Sequence, residues 1–173
     1  PITDHIQPFF DNNVPNLWTY YCTGPQGGGY SNRFVAQSGA CTRSIGMQLY
    51  KYNIVGFLHW ALCYLGGGDT AGIIDPYLDQ NGNNWVPSGD TGYIYPRANG
   101  EFYESIRGIY LRDAFQDIRA MQLLEKYTSH EAVVALIEEE LGCELRFNTC
   151  AKSTKTMNDI RNRINEELRK FAK

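Results

Sequence analysis

The segment Ile54-Val55-Gly56-Phe57-Leu58-His59-Trp60-Ala61-Leu62 carries the strongest strand signal in the sequence. It opens with two β-branched residues and is apolar almost throughout, without a polar residue at every second position. A continuous apolar run indicates a strand that is buried on both faces, as in a parallel sheet covered by helices. We therefore expect this segment to form the central strand of an α/β domain.

Two shorter strands are predicted on either side of that segment. Residues 17–22 are aromatic and bounded by turn residues. After a long irregular stretch at 66–91, residues 92–96 form a short third strand, which residues 97–100 end. Residues 43–52 carry apolar side chains at helical spacing between the first two strands. Strands that alternate with helices indicate βα units, and this order matches the last part of a (β/α)8, TIM-like barrel with about three parallel strands and covering helices.

The remainder of the chain is predicted to be helical. A helix over residues 105–127 is followed by a capping box at 128–131, which opens a helix that runs to Leu141 and stops at Gly142. A last helix carries an apolar stripe at residues 157, 160, 164, 168 and 171. We divide the chain into residues 1–127, the C-terminal part of a barrel, and residues 128–173, two C-terminal helices packed on it as an extension.

Composition excludes several classes of function. Among the 173 residues, 43 % are hydrophobic and 20 % are charged, which is typical of a folded domain. The net charge of −3 argues against nucleic-acid binding, and no run approaches the roughly 18 apolar residues that a membrane span needs. The chain opens with neither Met nor a leader, so we expect it to be cut from a longer protein.

The five cysteines do not decide the cellular compartment. Their number is odd and no Cys-x-x-Cys pair occurs, which argues against a zinc ribbon, and the three histidines lack metal-ligand spacing. We predict no metal and no cofactor. Cys22 and Cys63 are predicted to be buried apolar residues, whereas Cys143 and Cys150 flank a short link that could close into a disulfide in an oxidising environment or stay open.

Three groups of segments together resemble a known family. They are residues 18–22 (Trp-Thr-Tyr-Tyr-Cys), residues 55–64 with Asp75-Pro76 after them, and residues 89–96 followed by 105–107 (Ser-Ile-Arg) and 111–117 (Leu-Arg-Asp-Ala-Phe-Gln-Asp). In that order and spacing they resemble the C-terminal part of the catalytic domain of glycoside hydrolase family 123, also known as domain of unknown function 4091. The resemblance covers roughly residues 16–127, with Gln116 at a position where the family usually has Glu.

This resemblance implies a (β/α)8 barrel that hydrolyses β-linked N-acetylgalactosamine with retention. It implies substrate assistance, in which the 2-acetamido oxygen attacks the anomeric carbon while an acid protonates the leaving oxygen, outside the usual two-carboxylate scheme. The family's adjacent acidic and amide pair ends an earlier strand. No Asp-Glu or Asn-Glu pair ends a predicted strand here, and Asn165-Glu166 falls in the last helix. We therefore expect the chain to lack the general acid and assign no catalytic residue.

The carboxyl ends of barrel strands are where ligands bind. The residues predicted to bind substrate at these ends are Trp60, Tyr20, Tyr64 and Tyr95. Asp90, which precedes the third strand, is predicted to bind sugar hydroxyls. An aromatic wall could stack on a pyranose ring or enclose an acetamido methyl group, and a Tyr hydroxyl could bond the acetamido group. The alternatives are packing in the barrel core for the aromatic side chains and turn capping for Asp90.

Other polar side chains are predicted to have structural roles. His59 alternates with Trp60 along the strand and is predicted to be buried and hydrogen-bonded. Ion pairs on the helix surface, or from helix to barrel, are predicted for Arg107, Arg112, Asp113 and Asp117.

Two functions fit these observations. The first is the C-terminal portion of an N-acetylhexosaminidase-like glycoside hydrolase, inactive as an isolated fragment, whose partners are a 2-acetamido sugar and the N-terminal part of its barrel. The second is a non-catalytic carbohydrate-binding or structural module derived from such a barrel. For a partial barrel, unpaired strand edges predict either self-association or association with the rest of the barrel.

Overall fold

The computed structural model describes residues 5–64 and 75–172 of the chain. Its elements, in chain order, are α1 (Gln7–Asp11), β1 (Trp18–Tyr21), α2 (Gly39–Arg43), α3 (Ile45–Lys51), β2 (Gly56–His59), β3 (Ile94–Pro96), β4 (Phe102–Glu104), α4 (Ile106–Glu125), α5 (His130–Leu141) and α6 (Thr154–Arg169). Part of the predicted long loop, residues 65–74, lies outside the described residues.

Strands β1 and β2 form a parallel pair. Trp18 lies beside Gly56 and Tyr21 lies beside His59, and the connection between the strands contains α2 and α3. Gly56 is needed in this register because a side chain there would collide with the indole of Trp18. The pair has the parallel β-helix-β arrangement that the sequence predicts for the first two strands.

Strand β3 pairs with a strand that the sequence analysis missed. It forms an antiparallel hairpin with β4, and Gly100, at φ 86°, occupies the turn between them. We had interpreted residues 97–100 as the end of a strand, although Asn-Gly is a strong hairpin signal. A single antiparallel bridge from Cys63 to Gly92 joins the segment after β2 to the segment before β3. Membership of these strands in a barrel stays a prediction.

Among the described residues, the sheet formed by β1 and β2 is covered on one face only, so the expected burial of residues 54–62 on both faces is not reached within this chain. Tyr21 is 1 % exposed and packs with residues of α3 and α4, as Phe57 does in part. On the opposite face, Trp18 is 64 % and Leu58 is 53 % exposed. A continuous apolar run reports the chemistry of both faces, but it does not report whether another element covers each of them.

A second apolar core joins α4 to the two C-terminal helices. Its fully buried members include Met121, Ile137, Met157, Ile160 and Ile164. On α4, Ala114 and Met121 are fully buried, whereas Ile106 in its first turn is 54 % exposed. None of the helices in the described part of the chain is long and apolar enough to cross a membrane.

A buried carboxylate ties three helices together. Asp117 on α4 accepts hydrogen bonds from Arg43 of α2 at 2.7 and 2.8 Å and from Arg161 of α6 at 3.0 Å. The ion-pair prediction is confirmed for Asp117 and for the surface pair Arg112–Asp113, whereas Arg107 binds uncharged oxygens instead. The two bonds from Arg43 form a bidentate pair with the Asp117 carboxylate, and such charge-assisted pairs are stronger than hydrogen bonds between neutral groups.

The helix ends follow local signals closely. Ser129 caps α5 by accepting from the Ala132 backbone N–H, so the cap lies one residue after the predicted Thr128. Thr128 instead donates its hydroxyl proton to the Leu124 carbonyl and closes α4. Gly142, in the left-handed conformation at φ 71°, ends α5 as predicted.

A disulfide joins Cys41 to Cys150, and the predicted alternative of a Cys143–Cys150 pair is wrong. The cause is the path of the chain after α5. Gln48 donates its side-chain N–H groups to three backbone carbonyls of residues 146–149, and Ser44 accepts from the Ala151 N–H at 2.9 Å. These bonds bring Cys150 against α2, where its Cα lies 4.9 Å from that of Cys41. Cys143 is left exposed, and Cys22 and Cys63 are half-buried free thiols rather than buried ones.

The Cys41–Cys150 disulfide spans 109 residues and is therefore expected to restrict the unfolded chain strongly. We predict that Cys150→Ser lowers the free energy of unfolding by about 2–4 kcal/mol in urea denaturation of the oxidised protein. Cys143→Ser is the matched control and leaves the unfolding midpoint unchanged. A larger loss for Cys143→Ser than for Cys150→Ser would contradict this pairing.

Candidate active site

Three aromatic rings converge at the carboxyl end of β2. Trp60, the first residue after the strand, lies 5.5 Å from Tyr64 and 5.5 Å from Trp85 between ring centroids. Tyr64 and Trp85 are 5.4 Å apart, and Trp85 is 62 % exposed. We call these three residues the aromatic cluster. It brings two predicted site residues together and adds one, Trp85, that the sequence analysis did not select.

The aromatic cluster rests on a buried carboxylate. Asp90 has no solvent exposure, and its Oδ2 accepts a hydrogen bond from Trp60 Nε1 at 2.8 Å. Its Oδ1 lies 3.1 Å from His59 Nε2, and the other ring nitrogen of His59 lies 3.1 Å from the Ala61 carbonyl oxygen. The His59 side chain is only 4 % exposed, so its predicted role as a buried, hydrogen-bonded histidine is confirmed.

Backbone hydrogen bonds hold the Asp90 loop against the end of β2. The Tyr64 N–H donates to the Thr91 carbonyl and the Tyr93 N–H donates to the Leu62 carbonyl, both at 2.8 Å. Gly92 permits this close approach, since a Cβ there would lie 3.0 Å from the Leu62 carbonyl oxygen. The loop that carries Asp90 is therefore fixed to the segment that carries the aromatic cluster.

Tyr20 lies on the neighbouring strand β1, with half of its side chain exposed. A hydrogen bond with the Cys22 side chain and the charge of Asp90 both raise the pKa of Tyr20. The pKa of the Cys22 thiol is lowered, chiefly by the Gly24 backbone N–H and also by the hydroxyls of Thr23 and Tyr20. Tyr20 lies beside Leu58 and Cys22 directly follows β1, so both groups lie at the same end of the parallel pair as the aromatic cluster.

Tyr95 lies apart from these residues. It is 8 % exposed, and its hydroxyl accepts a hydrogen bond from Arg107 Nη2 at 2.5 Å, while the same guanidinium donates to the Gly92 carbonyl. Its described contacts therefore lie in the packing between β3 and α4. Of the five predicted residues, Trp60, Tyr64 and Asp90 meet directly, Tyr20 is a neighbour, and Tyr95 is buried elsewhere.

A buried arginine lies behind the site and was not predicted. The guanidinium of Arg33 lies 4.3 Å from the ring centroid of Phe57, 5.4 Å from that of Tyr21 and 5.8 Å from that of Tyr93. Its Nη1 donates to Asn32 Oδ1 at 3.0 Å, and its Nε and Nη2 atoms have no hydrogen-bond acceptor among the residues that the structure describes. Burial lowers the pKa of Arg33, an effect that Tyr93, Tyr21 and Asp90 oppose.

Comparison with known protein families identifies the family of this chain. The family described as glycoside hydrolase 123, catalytic domain, matches residues 1–124. The chain belongs to this family. The glycoside hydrolase 123 match includes the whole aromatic cluster, Asp90 and nearly all of α4, whereas α5 and α6 lie beyond it. A comparison with curated proteins found no match.

The geometry of the site limits what Asp90 and the aromatic cluster can do chemically. Both Asp90 oxygens face donors inside the protein, which leaves neither positioned to protonate a ligand oxygen. The Trp and Tyr rings offer flat apolar faces with polar edges, which suit the C–H face of a sugar ring. Within residues 5–64 and 75–172, no group of His, Cys, Asp and Glu is placed to hold a metal ion.

The pKa values of two tyrosines beside Arg33 are raised, so we expect them to ionise only at high pH. Burial raises the pKa of Tyr93 from 10.0 to about 12 and also raises that of Tyr21. The pKa of each of these tyrosines is higher in the folded chain than in the unfolded chain. Their contribution to the free energy of unfolding is therefore complete below pH 10 and is lost as the pH rises towards the folded pKa of Tyr93, about 12.

We therefore predict a late component in the ultraviolet titration of tyrosinate, near pH 12, that Tyr93→Phe reduces. Tyr77→Phe is the control, since the Tyr77 side chain is 82 % exposed, and it leaves the late component in place. A titration in which Tyr93→Phe removes only tyrosines that ionise early would contradict this burial.

Proposed function

We propose that the chain is part of a barrel glycoside hydrolase acting on β-linked 2-acetamido sugars, N-acetylgalactosamine first among them, and that the aromatic cluster contacts the sugar. The observation that carries the proposal is the position of the cluster. Three rings within 5.5 Å of one another, one of them mostly exposed, lie at the carboxyl end of β2 in a member of a glycoside hydrolase family. Barrel enzymes bind ligands at that end of their strands.

The reaction we propose is substrate-assisted. The acetamido oxygen of the sugar forms a bond to the anomeric carbon as the bond to the leaving oxygen breaks, and an acid supplies the proton that the leaving oxygen takes. Water then opens the cyclic intermediate and restores the anomeric configuration. Asp90 is not that acid, since its carboxylate is fully buried and bonded to Trp60 and His59. We infer that the acid and the group that orients the acetamido lie outside this chain.

The exposed apolar face of the β1–β2 sheet is an argument that further strands of a barrel cover it. Trp18, Tyr20 and Leu58 are each at least half exposed on that face. Apolar patches of this kind mark surfaces that bind another element. We propose that the remaining strands of the barrel cover this face in the intact enzyme.

The isolated chain should then self-associate through the uncovered face. We predict that sedimentation velocity shows species larger than the 19.7 kDa monomer, and that Leu58→Lys shifts them towards the monomer. Leu78→Lys, at an 86 % exposed position outside the sheet, is the control and leaves the distribution unchanged. A stable wild-type monomer would argue against the partial barrel and for an independent module.

A non-catalytic carbohydrate-binding module is the second candidate function. It is favoured by the occupied Asp90 carboxylate and by the position of Asn165-Glu166, which lie in α6 rather than at the end of a strand. The aromatic cluster would bind the sugar in the same way whether the parent protein is a glycoside hydrolase or a binding module. An adjacent acidic pair at the end of a strand in the parent protein would favour the glycoside hydrolase.

The test of the proposal combines hydrolysis with binding. We predict that the purified 173-residue chain does not hydrolyse a chromogenic β-N-acetylgalactosaminide, since leaving-group protonation contributes about 10²–10⁴ in rate. The same chain binds methyl β-N-acetylgalactosaminide in calorimetry, and Trp85→Ala weakens that binding. Saturable turnover by the isolated chain would overturn the assignment of the acid to another segment, and absence of sugar binding would overturn the role of the cluster.

A further inference from the structure

We propose that Asp90 is a positioning residue that fixes the sugar-facing orientation of Trp60 and does not itself contact the sugar. This inference rests on the proposed function of the aromatic cluster, and it replaces the direct sugar contact that the sequence suggested for Asp90. It assigns a role to a buried carboxylate that family membership leaves unexplained.

The Asp90 carboxylate is too deeply buried to meet a sugar bound on the exposed rings. Asp90 has no solvent exposure, whereas Trp60 is half-buried and Trp85 is 62 % exposed. A sugar that stacks on the exposed rings therefore meets indole and phenol surfaces before it meets the carboxylate. A buried carboxylate requires hydrogen-bond donors, and Asp90 takes them from Trp60 and His59.

The Asp90–Trp60 hydrogen bond restricts a ring that contacts both other members of the aromatic cluster. Trp60 contacts Tyr64 at an interplanar angle of 55° and Trp85 at 82°, so neither neighbour holds it by flat stacking. The 2.8 Å bond from Nε1 to Oδ2 fixes the direction of the indole edge. A ring that is fixed in advance does not have to be ordered when the sugar binds.

His59 forms the second hydrogen bond to the Asp90 side chain, from its Nε2 atom. Both ring nitrogens face oxygen atoms at 3.1 Å, and a carbonyl oxygen can only accept, so Nδ1 donates to Ala61. One further proton then lies between Nε2 and Asp90 Oδ1. An asparagine at position 90 could replace this arrangement: its oxygen would accept from Trp60, and its NH₂ would donate to an unprotonated Nε2.

This difference between asparagine and alanine defines the experiment. Asp90→Asn keeps both hydrogen bonds and removes the charge, whereas Asp90→Ala removes both bonds. The control is Asp159→Asn, which removes an exposed charge paired with Lys155 on α6. Two properties of the full 173-residue chain are measured: hydrogen exchange of the Trp60 indole N–H by NMR, and affinity for methyl β-N-acetylgalactosaminide.

We expect Asp90→Ala to expose the Trp60 indole N–H to exchange and to weaken sugar affinity by about tenfold. Asp90→Asn keeps the N–H protected and rescues most of the affinity. Equal loss of affinity in Asp90→Asn and Asp90→Ala, with the N–H protected in Asp90→Asn, would overturn the proposal and indicate that the charge itself acts on the sugar. Rapid exchange of the Trp60 N–H in the wild type would overturn it as well.

The two proposals fail in different ways. If the wild-type chain does not bind the sugar while the exchange pattern follows the expectation, the aromatic cluster has another ligand and the positioning role of Asp90 stands. If the sugar binds and Asp90→Ala changes neither property, the proposed function stands and the positioning role is wrong.

Discussion

The buried guanidinium of Arg33 connects the segments on which the site is built. Arg33 is 1 % exposed and lies against aromatic rings from β1, β2 and the segment before β3. Burying a charge with few acceptors is costly, and contact with aromatic faces offsets part of that cost. Val35, two residues later, donates its N–H to the Ser88 carbonyl at 2.8 Å. The loop that carries Asp90 is therefore anchored both to the end of β2 and to the segment that carries Arg33.

The C-terminal helices stabilise this arrangement from outside the family match. α6 reaches back to α2 and α4 through Asp117, and the Cys41–Cys150 disulfide binds the loop before α6 to the start of α2. Because α2 and α3 form the connection between β1 and β2, these contacts hold the parallel pair as well as the helices. The extension thus buries a face of α4 that would otherwise be exposed, and it adds no side chain to the aromatic cluster.

The sequence predicted the features that depend on neighbours along the chain. The end of α5 at Gly142 and the buried stripe at Met157, Ile160 and Ile164 followed from a cap and from helical periodicity, which are local signals. The strands at Trp18 and Gly56 were also correctly located. Within the site, Trp60 and Tyr64 are predicted because the carboxyl ends of strands are where barrel ligands bind, and Asp90 is predicted as a polar residue just before the third strand.

The features that were missed depend on residues far apart in the sequence. Asp90 meets Trp60 across 30 residues, and Cys41 meets Cys150 across 109, and no local pattern reports either contact. Trp85 is an aromatic residue in a loop of Gly, Asn and Asp, which was the available sign of a functional side chain. Strand β4 was missed because its Asn-Gly turn was interpreted as an end rather than as a hairpin.

The central claim is that a 2-acetamido sugar binds at the carboxyl end of β2, and the three tryptophans provide a direct measurement. Their indole N–H groups give separate NMR signals, and Trp18 lies at the opposite end of its strand from the aromatic cluster. On titration with methyl β-N-acetylgalactosaminide, we predict that the signals of Trp60 and Trp85 move together and saturate, while that of Trp18 stays in place. Movement of Trp18 alone, or an equal response to methyl β-galactoside, which lacks the acetamido group, would contradict the claim.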